Sequence, residues 1–208
     1  MTVTRPKVES CKEITPTNNR NNIRPVISLA TWNVRTMMPG TDASLQDVTD
    51  ARKSAIVNTE LKRLNIDIAA LQETRLADEG KLREADCTFF WRGKASNERR
   101  IHGVGFAVRN TLLDRIVEPS GGSERILRMS LHTTTGTANL ISVYAPTEVA
   151  ESDIKDQFYD ELDRELRSVP ATEEVFLLGD FNARVGSDRE AWPDCLGSYG
   201  VGKMNDNG

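Results

Sequence analysis

No run in this sequence approaches the ~20 consecutive apolar residues that a membrane-spanning helix needs, and no apolar segment follows Met1 as in a secretory signal. Membrane insertion and secretion are therefore not expected. Cysteine is scarce. Cys11, Cys87 and Cys195 are widely spaced and match neither a disulfide framework nor a C-x-x-C metal pair. They read as reduced thiols of an intracellular protein. An excess of positive charge is also lacking, with 27 Lys and Arg against 31 Asp and Glu and a net charge of −4. Any contact with a nucleic acid must then come from a local basic patch. Histidine is nearly missing: His102 and His132 are the two in 208 residues. Both fall in strand-like stretches and read as strand or surface residues rather than ligands.

What remains is an ordinary globular composition, 38% hydrophobic and 28% charged, with enough chain for one sizeable core. Residues 1–25 are polar and aperiodic ("TPTNNRNN") and read as a disordered leader, with a single domain over 26–208. "VISLATWNV" (Val26 to Val34) is rich in β formers and is followed by Pro39-Gly40; its Trp32 reads as core. Leu45 to Leu64 is helix-like, with Val57, Leu61 and Leu64 on one face. Ile66 to Thr74 is apolar enough for a strand buried on both sides.

"CTFFWRG" and "HGVGFAVRN" read as neighbouring strands joined by the basic loop "KASNERR"; Gly103 and Gly105 permit close backbone packing. "RILRMSLHT" alternates as a half-buried strand does, and "TANLISVYAPT" is a strand stopped by Pro146. Ile154, Phe158, Leu162, Leu166 and Val169 recur at helical spacing within Glu151 to Val169. "EVFLLGDFNA" is the last clear strand, and Asp206 in "NDNG" reads as a turn residue. Strand pairs between long helices predict an α+β fold: a four-layer α/β-sandwich, two packed mixed β-sheets flanked by helices.

Polar residues recur at the ends of these strands: Asn33, Glu73, Tyr144, Asp180 and Asn182. Singly, each has a plain structural reading. Asp180 and Asn182 suit an Asx turn, Asn33 a strand-end turn, Tyr144 a half-buried aromatic and Glu73 a cap. If these strands lie side by side with the same ends together, the five side chains converge on an oxygen-rich site that suits Mg2+ or Mn2+ rather than zinc. An Asp beside such a metal accepts a proton from water, and a Tyr and an Asn hold a phosphoryl oxygen. The chemistry expected is metal-assisted hydrolysis of a phosphate ester.

"TWNV", "LQET", "HGVGFAV", "VYAPT" and "GDFNA", in that order, resemble the endonuclease/exonuclease/phosphatase superfamily of DNase I-like enzymes and apurinic endonucleases. More narrowly, their wording is similar to retrotransposon-type endonuclease domains and the craniofacial development protein 2-like proteins. The resemblance spans about Ile27 to Gly208. It implies Glu73 as the principal metal ligand, with Asn33 beside the metal. It implies that Asp180 orients or deprotonates the attacking water, that Asn182 holds Asp180 or the phosphate, and that Tyr144 contacts that phosphate. Mg2+ is the implied cofactor, with Mn2+ an alternative, DNA the implied partner and the nucleus the favoured compartment.

Such domains also carry a late Ser-Asp-His motif, which has no counterpart after Asp180 here. The resemblance therefore implies a domain with its last strands missing and a weak or inactive DNA endonuclease. The competing reading is a non-catalytic remnant that serves as a binding or chromatin-associated module. Trp91 with Arg92, Lys94, Arg99 and Arg100 reads either as a DNA-backbone contact or as a solvated hairpin tip.

Overall fold

A computed structural model describes residues 26–38, 53–119, 121–190, 192–194, 196–197 and 199–208. The expected leader, Cys11, Cys195 and the first part of the expected helix from Leu45 lie outside these residues.

The strands form two sheets. The first has the order β1 (Leu29–Asn33), β2 (Ile68–Gln72), β5 (Val104–Arg109), β4 (Cys87–Arg92) and β3 (Glu79–Arg83). The second has the order β6 (Ile116–Val117), β7 (Ile126–Thr133), β8 (Gly136–Tyr144) and β9 (Glu174–Asp180). The β1–β2 and β8–β9 pairs are parallel and the remaining pairs antiparallel, so both sheets are mixed. Each parallel pair needs a crossover, and a helix supplies it: α1 (Lys53–Arg63) before β2 and α2 (Ser152–Arg167) before β9.

Strand alternation sorts the apolar side chains into layers. Ile68, Ala70, Phe106 and Val108 of the first sheet meet Leu127, Met129, Leu131 and Leu140 of the second. The opposite face of the first sheet, Ala69, Leu71, Phe89 and Ala107, packs with Val57 and Leu61 of α1. The outer face of the second, Ile126, Ile141 and Val143, takes Phe158 and Leu162 of α2. This is the expected four-layer sandwich.

Several local expectations need correction. Trp32 is 36% exposed, because β1 is an edge strand and its outward face meets solvent. Leu64 is exposed because α1 ends at Arg63, and Ile154 is exposed on the first turn of α2. The strand β3 was not anticipated: "EGKLR" is an exposed edge strand that carries no apolar alternation. Cys87 is a buried free thiol facing the α1 layer. Among the described residues, no helix is long and apolar enough to cross a membrane.

The edge strands β1 and β9 lie side by side on one flank, and Val175, Phe176 and Leu177 of β9 remain partly exposed there. Truncating a buried ring leaves a cavity, whereas truncating a half-solvated one does not. Phe106→Ala is therefore expected to lose about 3–5 kcal/mol in a denaturant titration. Phe176→Ala should lose under about 1.5 kcal/mol. Equal losses would contradict this placement of the core.

Candidate active site

The two parallel pairs set the site. In the first sheet Asn33 ends β1 in register with Gln72. Had β2 continued, Glu73 would point away from the inter-sheet face that Asn33 shares. Instead Glu73 adopts a left-handed backbone (φ 54°), which re-aims its side chain. In the second sheet Tyr144 and Asp180 are register partners, so both reach the same strand ends. The two sheets meet at one amide: Asn33 Nδ2 donates to Glu73 Oε1 at 2.9 Å and to Asp180 Oδ2 at 2.9 Å.

Each group is pinned a second time. The Arg35 N–H donates to Asn33 Oδ1 at 3.0 Å, which fixes the amide with its NH2 toward the carboxylates. Asp180 Oδ1 accepts from the Asn182 N–H at 2.9 Å, an Asx turn with Asn182 left-handed (φ 47°). The turn reading and the site reading of Asp180 and Asn182 are thus one geometry. Asn182 Nδ2 donates to the Ala145 carbonyl at 2.7 Å, tying the loop after β9 to the end of β8. All five side chains anticipated at the strand ends are brought together.

Charge follows from this bonding. Burial works to raise the Glu73 pKa, but hydrogen bonds from Asn33, Arg75 and Tyr144 outweigh it, and the carboxyl is held below its ordinary value. Burial, together with the adjacent Glu73, raises the Tyr144 phenol. Tyr144 is therefore a firm hydrogen-bond donor and Glu73 a firm anion at neutral pH.

Four participants escaped the sequence reading. Arg75 Nη2 pairs with Glu73 Oε2 at 2.9 Å; it sits directly after "LQET", so the signal was one residue away. Arg125 Nη1 donates to the Tyr144 carbonyl at 3.0 Å and its guanidinium lies 5.5 Å from the centre of the Tyr144 ring. Asn207 Nδ2 donates to the carbonyls of Pro146 and Asn182, each at 3.1 Å. His102 is half-buried against Arg125 (Nη2 to Nε2, 3.1 Å) and lies outside β5, with left-handed Gly103 between them. A Cβ at Gly103 would collide with Thr74 Oγ1, so the close packing expected there is present. His132 is exposed on β7.

Trp91 is partly buried; its Nε1 donates to the Ala77 carbonyl at 3.1 Å and its ring covers Gly80. Arg99 and Arg100 are exposed in the loop that leads into His102. That loop ends against the Glu73 turn, where the N–H groups of Thr74 and Arg75 donate to the carbonyls of Gly103 and His102.

A cleft of about 570 Å3 opens beside these groups, lined by Thr31, Asn33, Gln72, Asp180, Phe181 and Asn207 among others. Among the described residues no cluster of three His, Cys, Asp or Glu exists. Mg2+ needs no such cage; it commonly takes one or two carboxylates and completes its shell with water and substrate phosphate. Glu73 supplies one carboxylate, and Asp180, bonded to the same nitrogen, lies no more than about 6 Å from it, within reach of a water on such an ion. The residues fit a hard, partly hydrated cation.

The sequence matches the model of the "Endonuclease/Exonuclease/phosphatase family" over residues 30–200. The chain belongs to this family. Craniofacial development protein 2 of Bos taurus is 31% identical over 180 residues, covering 86% of this chain and 28% of that protein. The chain thus spans under a third of the length of the curated relatives it matches. Two solved structures share the family fold. A humanized D. rerio TDP2 has a TM-score of 0.50 and 16% identity over 85% of this chain and 72% of its own. A family protein from Leptotrichia buccalis has a TM-score of 0.50 and 14% identity, over 82% and 74%.

A carboxylate with a depressed folded pKa stabilises the fold above its ordinary value, and that stability is lost as pH falls through the folded value. Stability is therefore expected to drop as pH falls below the ordinary glutamate value of 4.5, with part of the drop due to Glu73. Glu73→Gln should be less stable at pH 7 and converge with the parent in acid. Parallel stability curves from pH 7 to pH 3 would contradict the bonding described for Glu73.

Proposed function

We propose that this chain carries a divalent-cation-dependent phosphodiester hydrolase site of the DNA endonuclease type. The observation that supports it best is the Asn33 amide joining Glu73 and Asp180 beside an open cleft, with Tyr144 and Asn182 at the same point. Glu73, with Asn33 at its side, would hold Mg2+, or Mn2+ in its place. When bound, such an ion supplies positive charge to a phosphoryl oxygen and lowers the pKa of a water.

The chain's own groups account for the remaining roles. Asp180 accepts the proton of the attacking water; its two oxygens each have one donor already and retain free lone pairs. The Tyr144 hydroxyl, kept protonated by burial and the adjacent Glu73, turns its one hydrogen from Glu73 to a phosphate oxygen when substrate enters. Asn182 fixes Asp180 through its backbone N–H. Arg99 and Arg100 supply local positive charge for a DNA backbone on an otherwise acidic protein. Turnover by these groups is slow, because neither His102, bonded to Arg125, nor His132, exposed on β7, stands at the carboxylates to protonate a leaving group.

A second reading, DNA binding without hydrolysis, draws on the same point. Among the described histidines, His102 bonds Arg125 and His132 faces solvent, so neither offers an acid at the carboxylates.

The test is nicking of supercoiled plasmid by residues 1–208 with Mg2+. Slow nicking is expected, abolished by chelation and reduced about 10²–10⁴-fold by Asp180→Ala. Nicking of equal rate in both proteins would overturn the hydrolase reading. DNA binding that persists without nicking would favour the second. Reversing Arg99 and Arg100 to Glu should weaken binding and flatten its salt dependence; unchanged binding and slope would reduce the loop to a solvated hairpin tip.

A further inference from the structure

We propose that His102 is a positioning residue of this site, acting on Tyr144 through Arg125. The inference rests on the hydrolase reading for its kinetic consequence, and on geometry alone for its structural one.

His102 touches neither carboxylate, yet one bond separates it from a partner of each site group. Its carbonyl accepts the Arg75 N–H at 3.0 Å, and Arg75 pairs with Glu73 at 2.9 Å. Its Nε2 meets Arg125 Nη2 at 3.1 Å, and Arg125 in turn donates to the Tyr144 carbonyl and covers the Tyr144 ring. The imidazole itself lies 6.0 Å from the phenol ring, tilted by 53°. Tyr144 is thus held from behind by two side chains while its hydroxyl reaches Glu73 and Asn182.

The protonation state supports this arrangement. An arginine cannot accept, so Nε2 must be the acceptor and the ring neutral, with its proton on Nδ1. Burial and the adjacent Arg125 push the His102 pKa down to about 4, which keeps the ring neutral at physiological pH. Nδ1 faces the backbone of Ile101 without completing a hydrogen bond. An apolar residue would fill this space without an unpaired nitrogen. What only the polar ring provides is the acceptor that orients Arg125.

The experiment uses the full 208-residue chain labelled with 3-fluorotyrosine. Its tyrosines are Tyr144, Tyr159 and Tyr199, of which only Tyr144 is buried. Tyr144→Phe assigns the resonance. In His102→Leu the Tyr144 signal should shift and broaden. On a short DNA duplex kcat should fall by up to about a hundredfold with KM unchanged, since sub-ångström misplacement acts on the reaction more than on binding. His102→Gln, whose amide oxygen still accepts from Arg125, should restore both.

His102→Asn, too short to reach Arg125, should behave like the leucine variant and replaces it if that protein does not fold. An unmoved Tyr144 resonance in both, or glutamine and asparagine variants that behave alike, overturns the proposal. If the parent chain hydrolyses nothing, the hydrolase reading fails by itself, and the fluorine comparison still decides the role of His102.

Discussion

One side-chain amide holds the site together. Asn33 Nδ2 has two hydrogens and gives one to each sheet's carboxylate, Glu73 from the first and Asp180 from the second. Two carboxylates this close repel each other, and an effective dielectric near 20 leaves that repulsion at several kcal/mol, so a shared donor between them is a structural requirement. Arg75 and the Tyr144 hydroxyl relieve Glu73 further, and the Asn182 N–H relieves Asp180. The same bonds close the sandwich at one end, where β1 and β9 lie side by side as edge strands. Fold and site are therefore not separable here. The contact that would organise a cation also fastens the two sheets.

Backbone strain is distributed accordingly. Among the described residues six non-glycine residues are left-handed; Arg35, Glu73, Arg75 and Asn182 each lie within two residues of a site group or are one, and Asn65 and Asp78 lie elsewhere. Such conformations cost about 1 kcal/mol or more apiece and persist only where surrounding bonds fix them. At the site each is fixed by a named bond: Arg35 by Asn33 Oδ1, Glu73 by Asn33 Nδ2, Arg75 by the His102 carbonyl and Asn182 by Asp180 Oδ1. The strain re-aims side chains that strict strand alternation would send outward.

This explains what the sequence revealed and what it concealed. The apolar runs ending in Asp180 and Tyr144 announced buried strands with chemistry at their tips, and the periodicity of Phe158 and Leu162 announced the helix over the second sheet. Trp32 misled because composition cannot tell an edge strand from a central one; that depends on which neighbour pairs with it. The strand β3 was silent because an exposed edge needs no apolar alternation. Glu73 was legible as a strand-end residue, but not the left turn that directs it. Arg125 and His102 were hidden for a different reason: they act through tertiary contacts, and no local spacing encodes those. The motif order carried the family; the bonds between motifs had to come from the fold.

The central claim is that Asn33 couples the two sheets through Asp180, a residue 147 positions away in the chain. A double-mutant cycle on unfolding free energy tests it most directly, with Asn33→Ala, Asp180→Ala and the pair measured in denaturant near neutral pH. The account expects non-additivity of about 1 kcal/mol or more, because either single change already removes the shared bond. Strict additivity, with the double variant losing the sum of both single losses, would mean that no such bond joins the sheets and would contradict the account.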